Sequence, residues 1–415
     1  MFTQKFFYPI IVLIACAGLL LQSCDVSTPQ ADDDGADGFN SLNIADDFNW
    51  SNSKELDLTI NFADRALVDT PLEIYAEDER MIARLNILED GIRFNEPLPN
   101  YIERLTLVNP ATGHSQTVDA ESGTILFEGY DVNKSAIDSY RDGNAQLFNT
   151  TLYYYHMYED KWPYKGDYDF NDYTFKSTVE KQLDANNKVV GADVSVSFES
   201  MGAYFPYGLG VEVLRGTDAT STYLPTDAIT FSGDATAEAG ASNVARLIDN
   251  LKDVDEAMPT WNTFLERYET TPTTFNYSIT WDEDSFGGNN ISLHYFLFSS
   301  TDRGREIHSV GNPPTALSDG SELGTGEDNS STVAWDRTPG RQFSKPAPFY
   351  RTENFLPWGL TLQIVPGIEP SIPTERTDIT DAYDQFAGWA QSEGTLNTTW
   401  WFFPENGKVL VPPTP

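Results

Sequence analysis

A mainly β protein, built from antiparallel β-sandwiches with a few short helices, follows from three features of this 415-residue chain. Apolar residues recur at every second position in short runs, turn-forming residues separate the runs, and stretches of helical periodicity are scarce. Antiparallel sheets with one solvated face leave this alternation in a sequence. Leu56, Leu58, Ile60 and Phe62 alternate with Asp57, Thr59 and Asn61, while Leu72 and Ile74 flank Glu73, and Leu105 and Leu107 flank Thr106. Turn signals follow at Asn109-Pro110-Ala111-Thr112-Gly113 and Glu121-Ser122-Gly123. Residues 45–135 are therefore expected to form a small β-sandwich module of immunoglobulin-like size, or the first sheet of one larger domain.

From 140 to 415 the alternation continues on a larger scale, through Val194, Val196, Phe198, then Val211, Val213, then Phe275, Tyr277, Ile279, Trp281, then Leu293, Tyr295, Leu297. A larger, jelly-roll-like antiparallel sandwich is expected here. Two helices should interrupt it. Residues 243–252 place Val244, Leu247, Ile248 and Leu251 on one face, and residues 379–391 do the same with Ile379, Tyr383, Phe386, Ala387 and Ala390, with Asp378 or Thr377 as cap. No period of 20–50 residues recurs, which argues against a solenoid or propeller.

The N-terminus addresses the chain to the envelope. After Lys5 an apolar run from Phe6 to Leu21 has the length of an export-signal core and is short for a membrane-spanning helix. It ends in Leu21-Gln22-Ser23-Cys24, which resembles a lipobox: residues 1–23 would be removed and Cys24 acylated, leaving the protein anchored by lipid. Ordinary cleavage nearby would leave Cys24 incidental. Cys16 lies inside the signal, so no disulfide is available to the mature chain. Residues 24–44 carry Asp32-Asp33-Asp34-Gly35-Ala36-Asp37 and read as a flexible acidic tether. Removing the signal leaves 25 basic against 63 acidic side chains, a field that repels nucleic acid and anionic lipid head groups.

One segment concentrates oxygen ligands. Glu159, Asp160, Asp167, Asp169, Asn171 and Asp172 fall within Glu159–Asp172, interleaved with Trp162, Tyr164, Tyr168 and Phe170, with Tyr173 just beyond. Ca²⁺ takes about 6–8 oxygens in flexible geometry, and Asp167, Asp169 and Asn171 have the D-x-D-x-N spacing that turns alternate side chains toward one point. The segment is not an EF-hand, because Asp172 stands where glycine is required and Thr178 where a bidentate glutamate is expected. A calcium loop of another architecture is expected, and a solvated acidic turn is the plainer alternative in so acidic a chain. No cysteine or histidine cluster offers a zinc site.

Three motifs in order carry a resemblance: Glu159–Asp172; then Arg303-Gly304-Arg305-Glu306-Ile307-His308 with Asn312-Pro313-Pro314-Thr315; then Arg351-Thr352-Glu353-Asn354-Phe355-Leu356-Pro357-Trp358. Together they resemble the LruC domain of envelope lipoproteins from Bacteroidota. The resemblance implies a secreted, mostly β domain over roughly residues 150–405 and no catalytic residues. Acidic residues soon after the acylated cysteine are similar to the signal that displays such lipoproteins on the outer face of the outer membrane, although here the run starts late, which leaves the periplasmic face open.

Enzyme motifs are scarce. Gly-x-Ser-x-Gly, Gly-x-Gly-x-x-Gly and the phosphate-cradling Gly-Lys-Ser/Thr motif are absent from the sequence. Asp282-Glu283-Asp284, Glu353 and Asp381 could supply a carboxylate pair for sugar cleavage, but carboxylates are too abundant for their presence to decide anything. Arg303 and Arg305 are expected to pair internally with loop carboxylates, with Glu306 and His308 completing a buried network that supports the calcium loop; binding an acidic sugar is the alternative. Trp400 and Trp401 are the candidate glycan contacts, since flat aromatic faces bind sugars. The expected protein is thus an outer-membrane-anchored, surface-exposed lipoprotein with a calcium-stabilised domain for binding, adhesion or structure. The alternative is a calcium-dependent glycan-binding or glycan-cleaving protein.

Overall fold

The computed structural model describes residues 38–410, apart from 78, 129–134, 136, 139, 141–146, 218–219, 225–228, 255–260, 263–266, 269–272, 282–289 and 334. The signal segment, Cys24, the acidic run before Gly38 and Asp282-Glu283-Asp284 therefore lie outside the described residues.

The alternating runs become strands. β1 (Ser53–Phe62), β2 (Pro71–Ala76), β3 (Met81–Asn86), β4 (Ile92–Pro99), β5 (Arg104–Asn109), β6 (His114–Asp119) and β7 (Thr124–Phe127) make up the first module. β1 pairs antiparallel with β4 and parallel with β7, and β2 lies between β3 and β5, with β6 beyond β5. Leu58 and Ile60 of β1 face Leu72 and Ile74 of β2 and Leu105 and Leu107 of β5 across a fully buried core. Each such side chain taken from water contributes roughly 1.5–3 kcal/mol.

The chain then forms β8 (Phe148–Tyr158), β9 (Tyr173–Leu183), β10 (Val189–Met201), β11 (Tyr207–Gly216), β12 (Thr220–Thr222), β13 (Ile229–Gly233), β14 (Thr236–Glu238) and β15 (Ala241–Ile248). There follow β16 (Trp261–Asn262), β17 (Arg267–Tyr268), β18 (Thr274–Trp281), β19 (Ile291–Ser299), β20 (Asp302–His308), β21 (Gln342–Ser344) and β22 (Gly359–Gln363). One sheet runs β13-β18-β10-β9-β8-β3-β2-β5-β6, so the module with its own core shares a sheet with the large domain through the pairs Ala83↔Thr150 and Arg84↔Asn149. The facing sheet is centred on β11, flanked by β15 and β19. The sandwich core lies between them, with Phe175, Val179, Val194 and Val196 meeting Leu209, Val211, Tyr295 and Leu297.

β8 shows the period of two directly. Tyr158 enters the sandwich core, while Tyr155 and Met157 point to the opposite face, where Leu360 and Leu362 of β22 join them. That outer face is roofed by two short helices, α1 (Ile379–Ala382) and α2 (Phe386–Gln391), and by Phe39, Trp50, Trp389, Trp400 and Trp401. Asp378 caps α1 by accepting from the Thr380 amide at 2.8 Å, and its other oxygen accepts from the Phe39 amide at 2.8 Å, tying the start of the described chain to its end.

Three expectations are corrected. Residues 243–252 are not a helix but the end of β15 followed by a 3-10 turn at Leu251–Val254. β15 packs Ala245 and Leu247 into the sandwich and Val244 against Phe296 on the other side, and its ladder with β11 slips register between Leu209 and Gly210. Burial on both faces and a bulge break the period of two, so the apolar spacing imitates a helix. The helix expected over 379–391 is interrupted at Tyr383–Gln385. Phe39, Leu42 and Ile44, placed in the tether by composition, are buried in the roof layer.

Candidate metal centre

Glu159–Asp172 is the loop between β8 and β9, at one end of the large sheet. Its aromatics determine its shape. Trp162, Tyr168, Phe170 and Tyr173 are buried, whereas Tyr164 is exposed, so four of the five expected packing residues lie beneath the loop. Tyr168 and Phe170 hold φ values of 56° and 53°, a left-handed conformation that bulky residues seldom adopt. Packing over-determines it: the Tyr168 ring lies 4.5 Å from the Phe39 ring, and the Tyr168 carbonyl accepts from the Ile379 amide at 2.9 Å.

This folding sorts five of the six predicted ligands into two groups and leaves Asn171 outside both. Oxygens of Glu159, Asp167 and Asp169 converge within 4.8 Å of one another. Two oxygens on opposite sides of a Ca²⁺ ion, each at about 2.4 Å, would stand about 4.8 Å apart, so one ion can touch all three. Glu159 is fully buried; its Oε1 accepts from the Phe170 amide at 2.7 Å, but its Oε2 has no hydrogen-bond partner. Asp169 is also buried and accepts from the Asn171 amide at 3.1 Å and the Arg376 amide at 2.8 Å. Asp160 and Asp172 make a separate pair, in which the Asp160 amide donates to Asp172 at 2.8 Å and the Phe205 amide donates to Asp160 at 2.9 Å. Asn171 uses its side-chain amide to strap the Pro373 carbonyl at 3.1 Å.

The electrostatics are those of a crowded anion site. Burial pushes the Glu159 carboxyl well above the usual range, and Asp169 and Asp167 push it the same way. Burial does likewise to Asp169, reinforced by Asp167 and Glu375, and to Asp172, reinforced by Asp160 and Glu159. Although burial works against its charge, Lys161 is held protonated above its ordinary range by Asp167, Glu159, Asp172 and Asp160. Buried carboxylates in such proximity either keep protons or share a cation.

Sequence reading missed Gly166 and the segment 373–376. A β-carbon on Gly166 would come within 1.8 Å of Glu159 Oε2, so only glycine fits over that carboxylate. Arg376 is 207 residues from Asp169, a separation no local motif can reveal.

The later basic motif divides. Arg303 grips Glu238 with two bonds of 2.9 Å from its Nε and reaches Glu306 at 2.6 Å. Buried Glu306 also meets His308 Nε2 at 2.9 Å and accepts from the Thr315 amide at 2.8 Å. Although burial raises the Glu306 pKa, His308 and Arg303 together hold it below the ordinary range. This is an internal network on β20. Arg305 is the member that reaches the acidic loop, donating to the Trp162 carbonyl while pairing with Glu322 at 2.8 Å.

Trp400 and Trp401, expected as glycan contacts, are corrected. They sit in a 3-10 turn at Trp400–Phe402 and both are buried, Trp400 packed on Tyr383, Phe386 and Trp389, and Trp401 on Tyr101, Trp400 and Phe402. Among the described residues, no helix is long and apolar enough to cross a membrane.

Residues 187–401 match the family model described as "Domain of unknown function (DUF4842)". The fold is similar to a crystal structure from Bacteroides ovatus, provisionally designated a lipoprotein, with a TM-score of 0.55 and 15% identity, covering 83% of this chain and 100% of the other. No curated protein matches the sequence.

Proposed function

We propose that this chain, which belongs to the DUF4842 family, is a lipid-anchored envelope protein whose β8–β9 loop is closed by one Ca²⁺ ion, and that the ion locks a rigid domain for binding or structure at the cell surface. The N-terminal Leu21-Gln22-Ser23-Cys24 sequence and the likeness to a designated lipoprotein support anchoring. The ion reading rests chiefly on Glu159, a fully buried carboxylate whose Oε2 has no hydrogen-bond partner, in a cluster where one oxygen each of Glu159, Asp167 and Asp169 lie within 4.8 Å of one another. Leaving such an atom without a partner costs several kcal/mol unless a cation or proton compensates it.

Glu159, Asp167 and Asp169 would hold the ion, with main-chain carbonyls or water completing a shell of about 6–8 oxygens. The ion would cancel the mutual repulsion of the three carboxylates. It would thereby fix the loop to Phe39 and α1 on one side and, through the Asp169 bond to the Arg376 amide, to the C-terminal segment on the other. No step of catalysis is needed for this role.

Terbium binding tests it. Tb³⁺ in the loop should luminesce on excitation of the neighbouring aromatics, at about one ion per chain, and Ca²⁺ should displace it where Mg²⁺ does not. Absence of saturable, calcium-displaced luminescence contradicts the proposal.

A further inference from the structure

A second site stands at the other end of β9, independent of the ion. β9 is Tyr173–Leu183, so the turn after it lies roughly 33 Å from the acidic loop at about 3.3 Å per residue. There the first module and the large sandwich enclose a cleft of about 610 Å³. That volume falls in the range of about 300–1,000 Å³ typical of small-ligand sites.

Among the described residues, the charge lining the cleft is opposite to that of the chain. The protein carries 63 acidic and 26 basic residues, yet the described residues lining the cleft include Arg93, Lys188 and Arg215 against one carboxylate, Glu96. Glu96 is itself neutralised from beneath, because buried Lys181 meets it at 2.7 Å, and Thr150 donates to its other oxygen at 3.1 Å. Asn290 closes this floor by donating to the Asn95 carbonyl at 3.0 Å and to Glu96 at 3.2 Å. Such a satisfied buried network fixes the two modules against each other and makes the cleft rigid. Above it, Lys188 is exposed, and Arg93 forms an exposed pair with Asp57 at 2.7 Å, which competition from a ligand can displace at little cost.

The remaining walls alternate neutral hydrogen-bonding groups, such as Asn95 and Gln342, with apolar ones, such as Leu85 and Leu183. Amides and hydroxyls match sugar hydroxyls, and apolar patches match the C–H faces of the ring. We infer that this cleft binds an anionic sugar, its acid group held by Lys188 and Arg215 and its hydroxyls by the amides. A local cationic recess is what such a ligand needs in order to approach a protein whose overall field repels it.

Calorimetry with the purified protein tests this, using trigalacturonate and N-acetylneuraminic acid as carboxylated probes, a heparin-derived disaccharide as the sulfated probe, and galactotriose as the uncharged control. At least one acidic probe should bind, with affinity falling as salt is raised, and galactotriose should bind at least about tenfold more weakly. Lys188→Glu, on an exposed turn, should weaken binding by about tenfold or more, and Arg215→Gln should do the same. Both variants should keep the calcium response of the distant loop, which shows that they remain folded. The inference is overturned if none of the acidic probes binds, if galactotriose binds equally well, or if Lys188→Glu leaves affinity unchanged.

Discussion

Gly166 lies directly over the carboxylate of Glu159, so close that a β-carbon there would stand 1.8 Å from Oε2. The contact places a glycine requirement on a loop whose sequence advertises only its acids. Gly166→Ala should leave the sandwich folded but push Glu159 away from Asp167 and Asp169. Calcium affinity, measured by titration calorimetry, should fall by at least about tenfold, equivalent to about 1.4 kcal/mol. Unchanged affinity would remove Glu159 from the ion site.

Asp167 is the least buried of the three converging carboxylates, and it raises the pKa of both Glu159 and Asp169 by repulsion. Asp167→Asn removes that repulsion and one ligand charge. In EDTA the variant should therefore melt higher than the parent, by about 1 kcal/mol in stability, while its gain from calcium should largely disappear. A variant that is less stable in EDTA and still responds to calcium would contradict the assignment.

Raised pKa values also mean that the metal-free loop holds protons that an ion must expel. Burial first, and neighbouring carboxylates next, raise Glu159 and Asp169. Calcium binding near pH 6 should therefore release protons, and its heat should depend on the ionisation enthalpy of the buffer. Affinity should fall as pH is lowered.

His156 contributes a pH dependence of its own. It is buried between Thr361 at 3.1 Å and Ser177 at 2.9 Å, and burial, with Lys345 adding to it, lowers its pKa to about 3. Its folded pKa lies below the unfolded value near 6.5, so the unfolded chain takes up a proton first as pH falls. Stability from this residue is complete above about pH 6.5 and is lost downward toward pH 3, by about 2 kcal/mol at pH 5. Comparing thermal unfolding of the parent and His156→Gln between pH 7 and pH 5 should show the steeper loss in the parent.

Sequence patterning revealed the strands wherever one face is wet or both facing layers are regular, as with Val194, Val196 and Phe198 of β10. It failed at β15, where Val244 and Leu247 are buried on opposite faces and a bulge shifts the register. The acidic loop was legible because its ligands are adjacent in sequence. Its division into Glu159, Asp167 and Asp169 on one side and Asp160 and Asp172 on the other was not, since that depends on left-handed turns at Tyr168 and Phe170 and on partners such as Phe39 and Arg376 far along the chain. Trp400 and Trp401 were candidates as flat aromatic faces, yet the 3-10 turn buries both rings in the roof layer.

The most direct test of the ion-closed loop is the melting temperature of the protein in excess EDTA, then with millimolar Ca²⁺ restored, with Mg²⁺ as control. A ligand at about 100 times its dissociation constant adds about 2.7 kcal/mol, enough for a shift of a few degrees in a domain of this size. A calcium-specific rise that Asp167→Asn abolishes is the predicted result. Equal melting temperatures in EDTA, Ca²⁺ and Mg²⁺ would contradict it and leave Glu159, Asp167 and Asp169 as a proton-sharing cluster.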